Sequence, residues 1–248
     1  MRAVETNQSL TETAYETLRA DLLACRLSPG EKLNINDLSQ RLRVSLGAVR
    51  EALSRLTAEE LVILEPHRGF RAAPVSVAEL HDLTSTRIEL ESLCLARAIR
   101  RGDVEWETGI VAAFHRLSQT PERQPGPEAR ISEDWVRAHK AFHKALVAAC
   151  DSPWRLRLRD YLFDQTERYR RLSVPPSGDR RDLEAEHRAL MDAILARDTV
   201  LAIDLIEKHF AVTATLVASL GSAERGELDP ETTPLAPARA RSRRTASA

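Results

Sequence analysis

Four of the seven histidines in this 248-residue chain fall where chemistry is possible. His139 and His143 are four residues apart, so on a helix they lie one turn above each other. Val136, His139, His143, Leu146 and Cys150 follow one helical stripe. Leu183, His187, Leu190 and Ile194 follow a second, and Leu201, Leu205, His209, Val212 and Leu216 a third. Such stripes face a core, so all four imidazoles are expected to point inward. An imidazole buried without a partner costs on the order of 1–3 kcal/mol. Two arrangements meet that cost: each histidine satisfied separately, or all four converging on one metal ion, since imidazole suits zinc, nickel, copper and iron. His81 and His115 lack this company and read as ordinary.

Arg87 is the other inward candidate, on the stripe Leu80, Leu83, Arg87, Leu90 and Cys94. A buried guanidinium needs an anion, because an unpaired buried charge costs several kcal/mol. Glu91, one turn on, would serve. So would a carboxylate effector that bridges Arg87 and a metal, with Arg168 and Tyr169 lining the same cavity. A multi-histidine metal hydrolase or oxygenase is the competing class. Against it, no general base stands beside the histidines in a His-Glu-x-x-His arrangement. Cys25, Cys94 and Cys150 are far apart and odd in number, so neither a disulfide framework nor a metal pair is expected, and they read as small buried residues.

Helices must position these residues. From Val77 to about Leu220 helical periodicity predicts six helices, over 77–101, 103–119, 130–150, 153–173, 179–197 and 198–220. Ser76 and Glu79 form a capping box at the start. Arg101-Gly102-Asp103, Thr120 to Pro127 and Ser173 to Gly178 are the expected breaks. The fold class is therefore mainly α, with an antiparallel six-helix bundle over 76–220. Residues 221–248 carry Gly, Pro, Ser, Thr and Ala without apolar period. They are expected to be a disordered tail, basic over Ala238–Arg244, acting either as a solubilising segment or as a loose DNA tether.

Ahead of the bundle, residues 9–74 read differently. Residues 1–8 are expected to be a frayed lead-in. A first helix from Ser9 or Thr11 to about Arg26 buries Leu18, Leu22 and Leu23. Leu38 and Leu42 mark a second helix; Ser45 caps a third, which buries Val49, Leu53 and Leu56. Leu61–Leu64, a turn at Pro66–Gly69 and Phe70–Ala72 then predict a hairpin. This is a winged helix-turn-helix, whose second helix can enter a major groove of double-stranded DNA. The candidate DNA contacts are Arg43, Ser45, Arg50, Arg55, His67, Arg68 and Gly69. The formal net charge is −1, so no global basic field drives nucleic-acid binding and local arginine placement must do so. Aromatics make up 4%, which leaves the core to Leu, Ala, Val and Ile. No apolar run reaches membrane-spanning length or opens the chain as a signal peptide, so a cytoplasmic protein is expected.

Residues 14–74 resemble the DNA-binding domain of GntR-family transcription regulators. The resemblance rests on Leu27–Leu33, Asp37-Leu38-Ser39, Val44-Ser45, Val49–Leu53 with Arg55-Leu56, Glu60-Leu61-Val62 and His67-Arg68-Gly69. Leu46-Gly47-Ala48 departs from the Arg-Thr-Pro type of sequence common there, so fewer arginines face the bases. The bundle resembles the FCD ligand-binding domain of the FadR-type branch. It does so through Arg87–Glu91 with Leu95-Ala96, Ala141–Leu146, Glu186–Ile194 and Ala202–His209. Six helices favour the VanR-like subgroup. The resemblance implies a metal held by an Asp, a His four residues later and two further His. His143, His187 and His209 match, whereas His139 occupies the Asp position. Four neutral imidazoles leave a divalent ion its full charge, which favours zinc or nickel and an anion at any open position; alternatively His139 swings away, leaving three ligands. The resemblance further implies a homodimer that binds a DNA operator, a repressor in the simplest case, controlled by a small organic acid. The metal could instead be structural or itself the signal.

Overall fold

Asn34 and Ser45 open the two helices of the helix-turn-helix, each side chain accepting a backbone N–H, from Asn36 at 2.9 Å and Ala48 at 3.2 Å. The computed structural model describes residues 9–124, 131–172 and 182–224. Its first domain runs α1 (Leu10–Leu23), β1 (Lys32–Leu33), α2 (Ile35–Leu42), α3 (Leu46–Ala58), β2 (Val62–Glu65) and β3 (Gly69–Ala72). Arg43 takes a left-handed conformation (φ 56) and turns α2 into α3. The sheet order is β1-β3-β2, with Leu33 opposite Phe70 and Glu65 opposite Gly69. Leu18, Val49, Leu53, Leu56, Leu61 and Phe70 close the core of this winged helix-turn-helix. Two features depart from expectation. β1 is two residues long, too short to show an alternating pattern. α1 stops three residues before Arg26, because Cys25 turns left-handed (φ 53) and the Arg26 N–H folds back onto Asp21 O at 2.9 Å.

The second domain comprises α4 (Val77–Arg101), α5 (Val104–Ser118), α6 (Glu133–Leu146), α7 (Pro153–Leu172), α8 (Leu183–Leu195) and α9 (Thr199–Glu224). Ser76 caps α4 as its sequence predicts, accepting the Glu79 N–H at 3.1 Å. A Cβ at Gly102 would lie 1.9 Å from the Trp106 ring, so only glycine lets α4 pass that close to α5. Helices α4, α7 and α9 pack together, as do α5 with α6 and α8, and α8 with α9. Cys94, Leu95, Ile110, Phe142, Leu146, Ile194 and Ile206 share the resulting core. On α9 the inward face is Ala202, Ile206, His209 and Phe210; Leu201 and Val212, expected on it, are 44% and 45% exposed. No helix among the described residues is long and apolar enough to cross a membrane. α9 takes in the first four residues of the expected tail; 225–248 lie outside the described residues, as do 1–8 and the Ser173–Gly178 break.

Candidate metal centre and nucleic-acid interface

His139 and His143 on α6, His187 on α8 and His209 on α9 converge in the bundle. One ligand nitrogen from each lies within 4.8 Å of those of the other three, and all four side chains are buried. His143 is fully buried and central, its ring 4.5 Å from His139, 5.4 Å from His187 and 5.2 Å from His209. The Nε2 atoms of His139 and His143 are 3.1 Å apart. Two nitrogens bound to one zinc at about 2.0–2.1 Å sit roughly 2.9–3.3 Å apart at angles of about 90–109°, so this separation fits a shared ion. Burial, then the neighbouring histidines, hold His139 and His143 well below the ordinary imidazole range, so both are neutral and able to donate lone pairs. Their Nδ1 atoms are buried with no hydrogen-bond partner among the described residues.

The surroundings orient the set. Trp135 stacks on His139, with centroids 4.7 Å apart and planes 14° from parallel. Glu186 Oε2 meets His209 Nδ1 at 2.8 Å, which leaves Nε2 of His209 for the cluster, the arrangement by which carboxylates fix metal-binding histidines. The sequence places Glu186 beside His187 but does not show that it reaches across to α9.

Arg87 is buried one helix away. Its Nη1 donates to Thr166 Oγ1 at 2.8 Å, and its guanidinium lies over the rings of Phe210 (3.8 Å) and Phe163 (4.8 Å). These rings also face His143, at 5.8 and 6.4 Å, so the arginine and the histidines share walls. Nε and Nη2 of Arg87 find no partner among the described residues. Burial lowers its pKa to about 10, the charge on Glu91 opposing and that on Arg159 reinforcing the shift; the group remains protonated at neutral pH. Glu91 is taken. Arg159 of α7 grips it through Nε at 2.9 and 3.1 Å and Nη2 at 3.0 Å, both side chains inaccessible. The sequence offers Glu91 to Arg87 by spacing alone; the long-range claimant is invisible there.

Two expected cavity residues lie elsewhere. Arg168 Nη2 donates to the carbonyl of Ala73 and, at 3.5 Å, to that of Pro74. Tyr169 donates to Glu79 at 2.6 Å and accepts the Ser76 N–H at 3.4 Å. Glu79 is two helical turns from Arg87, about 12 Å along α4. Arg168 and Tyr169 thus hold the linker between the domains.

On the DNA-binding domain, Arg43, Ser45 and Arg50 are exposed on the turn and on α3. His67 (φ 62) and Gly69 (φ 86) bend the hairpin tip, where Arg68 is exposed. Arg55 instead turns back to α1, pairing with Glu12 at 2.8 Å and lying 3.8 Å over the Tyr15 ring.

Residues 10–71 match the model of the bacterial regulatory proteins of the gntR family, and residues 82–212 match that of the FCD domain. The HTH-type transcriptional regulator BphR of Paraburkholderia xenovorans is 40% identical over 86% of this chain and 87% of its own length. The HTH-type transcriptional repressor GlaR of Escherichia coli is 37% identical over 82% of this chain and 93% of its own. The fold of Escherichia coli McbR/YncC superposes with a TM-score of 0.69 at 20% identity, covering 86% of this chain and 98% of that one. The chain belongs to the GntR family of DNA-binding transcription regulators and carries an FCD effector-binding domain. These relatives are regulators, not enzymes.

Proposed function

We propose that the protein is a homodimeric repressor whose affinity for a DNA operator is set by a small carboxylate effector bound between Arg87 and a divalent metal. The observation that carries this reading is the buried guanidinium of Arg87, with Nε and Nη2 unpartnered among the described residues and walls shared with the four histidines. His139, His143, His187 and His209 would hold the ion, zinc or nickel by the softness of the ligands. When bound, the metal would supply a positive charge that no ligand carboxylate neutralises. Arg87 offers a second cation, with its two free N–H edges suited to an anion. The six helices among the described residues of the domain favour the VanR-like subgroup. The relative named as a repressor supports the direction of control. Two copies would present two α3 helices to a pseudo-palindromic site.

For control, the effector must bind one domain arrangement better than another. The test uses the DNA duplex that the wild-type protein selects from a random library. Metal-loaded protein is titrated with a panel of small carboxylic acids while duplex binding is followed by fluorescence anisotropy. At least one acid is expected to weaken binding by about tenfold, and Arg87→Met to abolish that response. No response to any acid would rule out the effector reading. A response to the metal alone would favour a second reading, in which the enclosed histidine set makes the ion itself the signal.

The interface carries its own expectation. Arg50→Ala should weaken binding to the selected duplex by ~1–3 kcal/mol, because an exposed α3 arginine is lost. Unchanged affinity in a gel-shift titration would remove Arg50 from the interface.

A further inference from the structure

Helix α7 faces two ways. Phe163 and Thr166 line the wall beside Arg87 and the histidines. Asp164, next to Phe163, points to the seam with the DNA-binding domain. Its Oδ1 accepts from Lys140, which follows His139 on α6, and its Oδ2 accepts from Arg19 Nη2 of α1 at 2.6 Å. Arg19 Nε continues to Glu59 Oε2 at 2.7 Å, and Tyr15 donates to the same carboxylate. Glu59 is the C-cap of α3, the helix offered to DNA. An unbroken chain of charged groups therefore joins the metal-ligand helix to the end of the recognition helix: Lys140, Asp164, Arg19, Glu59.

The chain is partly sheltered: the side chain of Asp164 is 13% exposed and that of Arg19 30%. Burial works against the charge on Arg19, yet the hydrogen bonds it donates to Asp164 and Glu59 outweigh it and raise the arginine above its ordinary value. Asp164 has one oxygen for each domain and joins α6 to α1 in partial shelter; a second described contact of α6 with the DNA-binding domain, Glu133 with Arg26 at 3.4 Å, lies between side chains 45% and 50% exposed. Gln165 holds Glu59 O at 2.8 Å, Tyr161 holds Glu60 at 2.7 Å and Cys25 Sγ meets Arg168 O at 3.4 Å, all without touching α6. Losing Asp164 would thus remove the sheltered link to α6 and leave the domains docked.

We propose that Asp164 is the positioning residue through which the effector domain sets the placement of α3, by joining Lys140 to the Arg19–Glu59 pair. This rests on the effector-domain reading above for the signal it transmits, while the positioning itself does not depend on the metal. The probes are the selected duplex and zinc, applied to full-length wild type and Asp164→Asn. Asp164→Asn is expected to take up zinc as the wild type does and to bind the duplex about threefold or more weakly. The wild type is expected to change its hydrogen exchange over residues 57–62 when zinc is added; Asp164→Asn should lose that change, and Asp164→Glu should restore both. Wild-type affinity together with wild-type exchange over 57–62 in Asp164→Asn would overturn the proposal. If the wild type takes up no zinc, the metal reading alone fails; the affinity and exchange of zinc-free Asp164→Asn still decide this one. Should Asp164→Asn fail to fold, Lys140→Met keeps the Arg19–Asp164 pair and must weaken duplex binding in the same way, or the proposal falls.

Discussion

Zinc is expected to raise the unfolding temperature of the wild-type protein and to leave that of His143→Ala where it is. A ligand that binds only the folded state stabilises it by about 2.7 kcal/mol when its free concentration is a hundred times the dissociation constant. His143 is the ligand to remove, because it is fully buried and its ring contacts those of the other three histidines. The comparison is made within each protein, with and without zinc, so the cavity left by the substitution cancels. His115→Ala, on the exposed face of α5, should respond as the wild type does. Equal zinc shifts in wild type and His143→Ala would show that the ion sits elsewhere.

The same histidines set a pH dependence. Burial first, and then the charges of neighbouring groups, hold His139 and His143 well below the ordinary value. The unfolded chain takes up protons at these residues near pH 6.5, whereas the fold does not until the pH is much lower. Stability of the metal-free protein should therefore be level above about pH 6.5 and fall as the pH drops below it, by up to about 1.4 kcal/mol per pH unit for each such histidine. Zinc affinity should fall over the same window, because protons compete for the ligand nitrogens. Urea unfolding at several pH values reads the slope, and equal stability on both sides of pH 6.5 would contradict it.

Glu91→Ala should cost about 3–5 kcal/mol, the effect of stranding a buried charge. The Arg159 guanidinium is inaccessible to water and grips Glu91 through two nitrogens, with Asp160, at 2.9 Å, the one further carboxylate among the described residues. Removing Glu91 leaves one cation in the interior and takes away the negative charge that supports Arg87. Replacing both partners with apolar residues, Glu91→Leu with Arg159→Met, should recover most of the loss, since an apolar pair of similar volume often does as well as a buried ion pair. Denaturant unfolding measures both. A loss under about 1 kcal/mol for Glu91→Ala would mean that water reaches Arg159.

What could be read from the sequence followed local rules. Caps at Ser45 and Ser76, and apolar period along the expected helices 77–101 and 130–150, depend on residues three or four apart, so these helices and the inward placement of His139 and His143 were legible. Long-range partners were not. Arg55 has the spacing of a groove-facing residue, yet Glu12 lies within reach on α1, where the fold brings it. Arg168 and Tyr169 sit one turn past the residues that face Arg87, and that turn places them against the linker. On α9, apolar residues occur nearly all round the helix, so periodicity chose Leu201 and Val212, whereas packing chose Ala202, Ile206 and Phe210. The two-residue β1 carries no pattern at all and exists because β3 offers it a ladder.

The metal content of wild-type protein, purified without a histidine tag, dialysed and then equilibrated with zinc, tests the central claim most directly. One zinc per protomer by elemental analysis, absent from His143→Ala, is the result expected of four buried histidines whose ligand atoms lie within 4.8 Å. No zinc or nickel taken up by the wild type would contradict it, and would leave any effector to Arg87 and its aromatic walls alone.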